Sequence, residues 1–351
     1  MTGTVSFCVI CVLALAVLSQ AAKQENRFLL FLGIAILSLT SGLRAYDVGI
    51  DTTSYYDAFV SDFAIRPWEF SEEGFRVLVR VLMTLFDNPT VVFLIIAVVT
   101  NLLVVLRLWD FRNNASFAYM SFFYIAVFYI GTMNTMRQYL AVAIVFFATR
   151  FLERKKYTPF IVSLLVATSI HTTALMGMVY LFVYLWRNTP KEKQIYLGIA
   201  AVALIPAALA FVVGYESDHI ANYFSSNVDN LNATYLYRVA IFLIAVLLMW
   251  LDDNNERMRN RELAPRRNEN LVPLFAFMGL VASSAGMFFR FLGRLGYYFS
   301  MFEMIFWGQA IKRARWGWLL WLMPTVYALY AFGYELAFNG SGIFPFHFYF
   351  D

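Results

Sequence analysis

Twelve apolar stretches, each nearly free of charge, leave this 351-residue chain little choice but a helical membrane bundle. They cover roughly 3–20, 28–43, 90–108, 116–132, 135–151, 158–170, 172–187, 194–213, 236–251, 271–287, 295–311 and 317–337. The bilayer core offers no water to unpaired backbone groups, so each stretch is predicted to cross as an α-helix. Composition agrees: 61% of residues are hydrophobic, 19% aromatic and 14% charged, whereas soluble domains carry nearer a quarter charged. The predicted fold is all-α and polytopic, a single membrane domain over 1–351 with about twelve transmembrane helices. The first stretch lacks a basic n-region and reads as a span, with Ser19-Gln20-Ala21 as a rival cleavage signal. Cys8 and Cys11, three apart on that span, read as packing residues.

Alternating spans allow two orientations, and charge chooses between them. One face would hold Lys23/Arg27, Arg107/Arg112, Arg150/Arg154/Lys155/Lys156, Arg187/Lys191/Lys193, Arg257/Arg259/Arg261/Arg266/Arg267 and Lys312/Arg313/Arg315. That set includes all six lysines, and the positive-inside rule makes its face cytoplasmic, with both termini outside. The other face keeps only arginines: Arg44, Arg66, Arg76, Arg80, Arg137, Arg238, Arg290 and Arg294. Arginine's planar fork grips phosphate bidentately and stays charged when partly buried. An outward arginine set therefore predicts an anionic, phosphorylated, lipid-linked ligand. The net charge of +4 follows from the positive-inside excess and calls for no nucleic-acid partner.

Three segments outside the spans organise the rest. Residues 44–86 form an extracytoplasmic loop rich in acids and aromatics, including Asp47, Asp51, Tyr55, Tyr56 and Trp68. That loop ends in an amphipathic stretch, 74–86, too short to cross and read as an interfacial or re-entrant helix. There Arg76 and Arg80 stand four apart, and a plain Glu72/Arg76/Arg80 surface ladder is the alternative. A second outer loop spans 215–235, and a charged cytoplasmic loop spans 252–270. The thirty residues 158–187 are flanked by basic clusters at both ends, which favours a hairpin over one long helix. Its arms measure only about 20–22 Å, shorter than the ~30 Å core. The polar turn Ile170-His171-Thr172-Thr173 would then sit below the outer surface, lining a cavity.

Candidate chemistry gathers on that outer side. A neutral imidazole suits a general base acting on a sugar hydroxyl, which nominates His171; helix capping or packing is its plainer role. Asn134, Arg137 and Gln138 fall at i, i+3 and i+4 of the next outer-side helix and would share a face. A cation at a helix N-terminus is poorly explained by helix stability, and Arg137 there would aid an anion already favoured by the dipole. Arg290 and Arg294 are four apart, with Tyr297 and Tyr298 a turn on; snorkelling to headgroups is the alternative. Glu303 falls mid-span, where an ionisable group is expensive and usually paired. No glycine-rich phosphate loop or Cys/His metal spacing occurs, so neither cofactor nor metal is predicted.

The segment Arg44…Gly49-Ile50-Asp51…Tyr55…Phe59 resembles the R…G-x-D-x-x-x-Y-x-x-x-F stretch of the EpsG-like family of bacterial exopolysaccharide polymerases, relatives of Wzy-type polymerases. Glu73-Gly74-Phe75, Asn134-Thr135-Met136-Arg137-Gln138, His171-Thr172-Thr173-Ala174-Leu175, Arg294…Tyr298-Phe299 and Ile343-Phe344-Pro345-Phe346 extend the likeness, in order, to about residue 346. The chain departs from the pattern at Ile50 and Phe346. The resemblance implies a GT-C-like, Wzy-like bundle in the bacterial inner membrane, with its site facing outward. It implies a metal-independent glycosyltransferase joining repeat units carried on undecaprenyl pyrophosphate. On that reading Arg137, Arg290 and Arg294 hold pyrophosphate, with Arg44, Arg76 and Arg80 in support. His171 or Asp51 is the base, and Asp47, Tyr55, Tyr56, Trp68, Asn134, Gln138 and Tyr298 line the sugar site. A chain-length regulator is an implied partner. A lipid-linked oligosaccharide flippase and an O-antigen-ligase-like transferase are the competing readings, and residues alone do not separate polymerase from ligase.

Overall fold

The computed structural model describes residues 2–65, 72–186, 237–249, 271–286, 290–313 and 317–350. The expected loops 215–235 and 252–270 and the stretch 194–213 lie outside the described residues, as do Arg66, Trp68 and His219. The described residues are helical almost throughout, and β pairing among them is limited to an isolated bridge between Arg44 and Phe348. They group into two compact units. One comprises 1–151, 158–175 and 328–351; the other comprises 152–157 and 176–327.

In the first unit, α1 (Thr2–Lys23) and α2 (Arg27–Gly42) are separated by a tight turn. Asn26 caps α2 by accepting from the Phe28 and Leu29 N–H groups, which stops the two helices from merging. Helix α3 (Thr52–Val60) and α4 (Glu73–Phe86) lie within the stretch 44–86, which is thus partly helical. Helix α5 (Pro89–Asp110) starts on Asn88, whose side chain accepts from the Thr90 N–H, with Pro89 set for the first turn. Next come α6 (Phe117–Phe123), a π turn at Tyr124–Phe128, and α7 (Tyr129–Asn134). A break at Thr135 precedes α8 (Met136–Glu153). Helix α9 (Tyr157–Ile170) ends where the sequence predicts a polar turn, and a 3-10 turn over Thr172–Gly177 leads into α10 (Met178–Trp186).

Among the described residues, three helices qualify as spans by length and apolarity: Gly3–Lys23, Pro89–Asp110 and Phe117–Asn134. Five further apolar helices are shorter: Arg27–Gly42, Tyr157–Ile170, Thr172–Trp186, Tyr237–Met249 and Val272–Ser284. The protein is thus an integral membrane protein, and the three long spans are what its structure supports of the expected twelve.

Helix α4 has three surfaces. At 3.6 residues per turn, Phe75, Val79 and Leu82 share one side and are buried. Val77, Val81 and Leu85 share a second, exposed and apolar, while Glu73, Arg76 and Arg80 occupy the third. One side is thus buried, and the other two differ in being apolar and charged.

The tail after residue 338 is stitched to residues 43–50. Ala45 N–H donates to His347 C=O at 3.1 Å, Tyr349 N–H to Leu43 C=O at 2.8 Å, and Gly49 N–H to Gly342 C=O at 2.8 Å. Gly49 has φ +102°, and a Cβ there would stand 2.7 Å from Thr52 Oγ1 and 3.2 Å from Ile343. Thus two stretches that carry the sequence resemblance, Gly49–Asp51 and Ile343–Phe346, depend on each other for their conformation. In the second unit, the Tyr180 hydroxyl donates to Tyr298 C=O at 2.6 Å, and Ser283 and Ser300 share a hydrogen bond of 3.0 Å.

Candidate functional site

The end of α9, the start of α8 and the residue before α4 converge on one carboxylate within the first unit. Glu72 precedes the first turn of α4 in extended conformation and is only 8% exposed. Its Oε2 accepts from Arg137 Nη1 at 2.7 Å. Its Oε1 lies 3.0 Å from His171 Nδ1 and accepts from the Thr172 N–H at 3.3 Å. Burial alone pushes the Glu72 carboxyl up, but the His171 contact, the Arg137 charge and the Thr172 N–H outweigh it and hold it at about 2. The carboxylate is therefore ionised at any working pH.

Local geometry explains this convergence. Arg137 sits in the first turn of α8, as its sequence position predicts, and its guanidinium lies over the Phe75 ring at 5.8 Å. His171 follows the last residue of α9, its backbone N–H still donating to Ala167 C=O at 2.9 Å. Gly74 brings the two segments together. A Cβ at that position would collide with the Ser169 side chain and stand 2.6 Å from its carbonyl oxygen. Only glycine lets α4 approach α9 closely enough for Glu72 to reach His171.

Asn134 is the last residue of α7, not part of α8, so it does not share a face with Arg137 and Gln138 as its spacing suggested. Instead its Oδ1 accepts from the Asp51 backbone N–H at 2.9 Å, which ties the Gly49–Asp51 turn to the α7–α8 junction. Gln138 is buried. Tyr55 is buried against Phe59 and Phe75, with ring centroids at 6.1 Å from each. Burial raises the Tyr55 hydroxyl's pKa, with nearby Arg137 pulling the other way. Tyr56 pairs with exposed Tyr46 at 5.7 Å.

Arg44 has a different setting from a ligand-binding arginine. It is 3% exposed and donates to Met133 C=O at 2.7 Å, to Thr52 Oγ1 at 3.3 Å and to Ser41 C=O, with its guanidinium 4.9 Å from the Phe93 ring centroid. Burial pulls the guanidinium down to about 10, which leaves it charged at neutral pH. It clamps the C-terminal end of α2 to α7 and to α3. The surface ladder Glu72/Arg76/Arg80 does not form, because Glu72 turns inward. Arg76 pairs with Glu73 at 3.1 Å and Arg80 with Asp62 at 2.7 Å, both near the Phe63 ring. Asp47 meets His347 Nε2 at 2.9 Å on the exposed tail.

Tyr298 and Arg294 belong to the second unit, on the helix Arg290–Arg313. Tyr298 is buried and Arg294 exposed; the Arg290 side chain lies outside the described residues. In the same unit the mid-span Glu303 acquires a named partner, Arg238, whose Nη2 donates to its Oε1 at 2.6 Å. Among the described residues, no group of three or more His, Cys, Asp or Glu side chains gathers as metal ligands would.

Sequence reasoning counted Glu72 among the loop acids and missed its role. No local signal marks that role, because both partners lie far away in sequence. Residues 27–348 match the model of the EpsG family. No curated protein matches the chain, and no solved structure does.

Proposed function

The chain belongs to the EpsG family, and from that premise we propose that it polymerises oligosaccharide repeat units carried on undecaprenyl pyrophosphate at the outer face of the bacterial inner membrane. One observation carries this reading. Arg137 and His171, a phosphate-binding group and a potential base on separate helices, meet at one buried carboxylate beside the loop that carries Asp51. The family match supports polymerase-type chemistry on a lipid-linked sugar at the coarse level.

The chemistry follows from the groups at hand. The hydroxyl of the incoming unit attacks the anomeric carbon of the growing chain and loses its proton to His171, or to Asp51. The bond from that carbon to the pyrophosphate oxygen breaks, and the electron pair leaves with the lipid pyrophosphate. Charge develops on the departing oxygen, where a preorganised guanidinium is most effective in a water-poor site. Arg137 supplies that charge. Sugar contacts are assigned to Tyr56 and Tyr46 at the exposed rim.

The test uses purified protein in nanodiscs with a synthetic undecaprenyl-pyrophosphate-linked repeat unit. His171→Ala should still bind the lipid-linked unit yet leave it unpolymerised, a loss of about 10²–10⁴-fold in rate. Normal polymerisation by His171→Ala together with a dead Asp51→Asn makes the carboxylate the base. Binding without polymerisation by wild-type protein, with net transfer of the unit across the bilayer, would replace the polymerase reading with a flippase.

A further inference from the structure

We propose that Glu72 is the positioning residue of this site: it fixes His171 with its proton on Nδ1 and holds Arg137 in a pair that an incoming phosphate displaces. The first half is a matter of donors and acceptors. An ionised carboxylate only accepts, so the nitrogen 3.0 Å from Glu72 Oε1 must carry a hydrogen. In neutral imidazole the proton then sits on Nδ1, and Nε2 keeps its lone pair. That nitrogen is the one able to take a proton from an acceptor hydroxyl. The Thr172 N–H, donating to the same Oε1, keeps the carboxylate from rotating away.

The second half concerns charge. Arg137 Nη1 donates to Glu72 Oε2 at 2.7 Å, so the arginine assigned to pyrophosphate already holds an anion. A phosphate oxygen that binds Arg137 competes with that carboxylate. When it wins, Glu72 loses its cation and its full negative charge bears on His171, opposite the positive charge the imidazole gains as it takes the proton. Asp51 and Arg44 act with Arg137 on the neighbouring Tyr55, and the Glu73–Arg76 pair follows Glu72 in the chain. Donor binding would thus switch on the base only when the leaving group is in place.

This inference rests on the polymerase reading in its second half only, and the experiment separates the two. The chain has three histidines, so ¹⁵N-histidine labelling of wild-type protein in nanodiscs gives few signals, with His171 assigned by its loss in His171→Gln. The expected wild-type pattern is neutral His171 protonated at Nδ1, passing to a mixture of tautomers in Glu72→Gln. Binding of undecaprenyl pyrophosphate, with inorganic pyrophosphate as the second probe, gives the other arm. Removing the competing carboxylate should tighten binding by about tenfold in Glu72→Gln while polymerisation falls. A scaffolding residue would lower both. Wild-type His171 protonated at Nε2 overturns the positioning role and leaves the donor reading standing. Equal or weaker pyrophosphate binding by Glu72→Gln overturns the exchange. No pyrophosphate binding by the wild type overturns the exchange and the donor reading together.

Discussion

Glu72 Oε2 and Arg137 Nη1 stand 2.7 Å apart although 65 residues separate them, and this contact joins the residue before α4 to the first turn of α8. The pair has a pH signature. The folded carboxyl titrates near 2, below the free value of about 4.3. A depressed acid contributes stability above its unfolded pKa and loses it as pH falls through the folded one. The stability difference between wild type and Glu72→Gln should therefore be constant above about pH 5 and shrink as pH falls toward 2. Thermal unfolding in nanodiscs across that range checks it; a difference that stays level to pH 2 contradicts the assigned ion cluster.

The fork of Arg137 matters as well as its charge. Loss of one preorganised donor at a developing anion typically costs about 10²–10³-fold in rate. Arg137→Lys keeps the charge and loses the planar geometry, so it should fall nearly as far as Arg137→Ala. Arg66→Lys is the control, since Arg66 lies in none of the stretches that carry the family resemblance. Polymer yield at matched membrane levels decides between them, and full activity in Arg137→Ala would reduce Arg137 to a headgroup anchor.

Gly74→Ala should damage the site without removing any of its polar side chains. The new methyl would meet the Ser169 Cβ at 2.5 Å and its carbonyl oxygen at 2.6 Å. Overpacking of this kind typically costs about 1–3 kcal/mol, and here it would push α4 from α9 and draw Glu72 from His171. Ser169→Gly in the same chain removes the side chain but not the carbonyl, so rescue should be partial. Melting temperature and polymer yield should fall together in the single variant and recover together in the double.

How much of this was legible in the sequence depends on the range of the interaction. The spans, the amphipathic α4, the break after Ile170 and the placement of Arg137 in an initial helical turn are local, written in hydropathy and spacing. Glu72 was not legible, because its partners lie 65 and 99 residues away and its nearest periodic neighbour is Arg76. Arg44 misled for a similar reason. An arginine closing an apolar stretch looks like a ligand or headgroup contact, and only the tertiary fold reveals the carbonyls it clamps. Asn134 was misplaced by one break, since nothing in the run Asn134–Gln138 announces the kink at Thr135.

Arg44 should accordingly fail by folding, not by chemistry. Its charged hydrogen bonds reach carbonyls at the end of α2 and in α7, groups with no water available to replace it. Arg44→Ala leaves those carbonyls unmet at a cost above about 2 kcal/mol, and Arg44→Lys loses the fork that reaches both helices. Both variants should show lower melting temperatures and lower membrane levels. Normal stability with weakened pyrophosphate binding would restore Arg44 to the ligand site.

The buried pair Arg238–Glu303 offers the last test, in the second unit. Arg238 Nη2 meets Glu303 Oε1 at 2.6 Å, and the guanidinium lies 5.0 Å from the Tyr327 ring centroid. Both side chains are buried, so neither charge can turn to water when its partner is removed. Breaking a buried pair from one side typically costs about 3–5 kcal/mol, whereas replacing both partners by apolar side chains of similar size is often neutral. Glu303→Met and Arg238→Met should each destabilise the protein strongly, and the double variant should regain much of the loss. Unfolding of the four proteins of this cycle in nanodiscs gives the coupling directly. If the double variant folds but no longer polymerises, the pair has a part in the reaction beyond holding its helices together. If the single variants add without coupling, the two residues do not act as a pair at all.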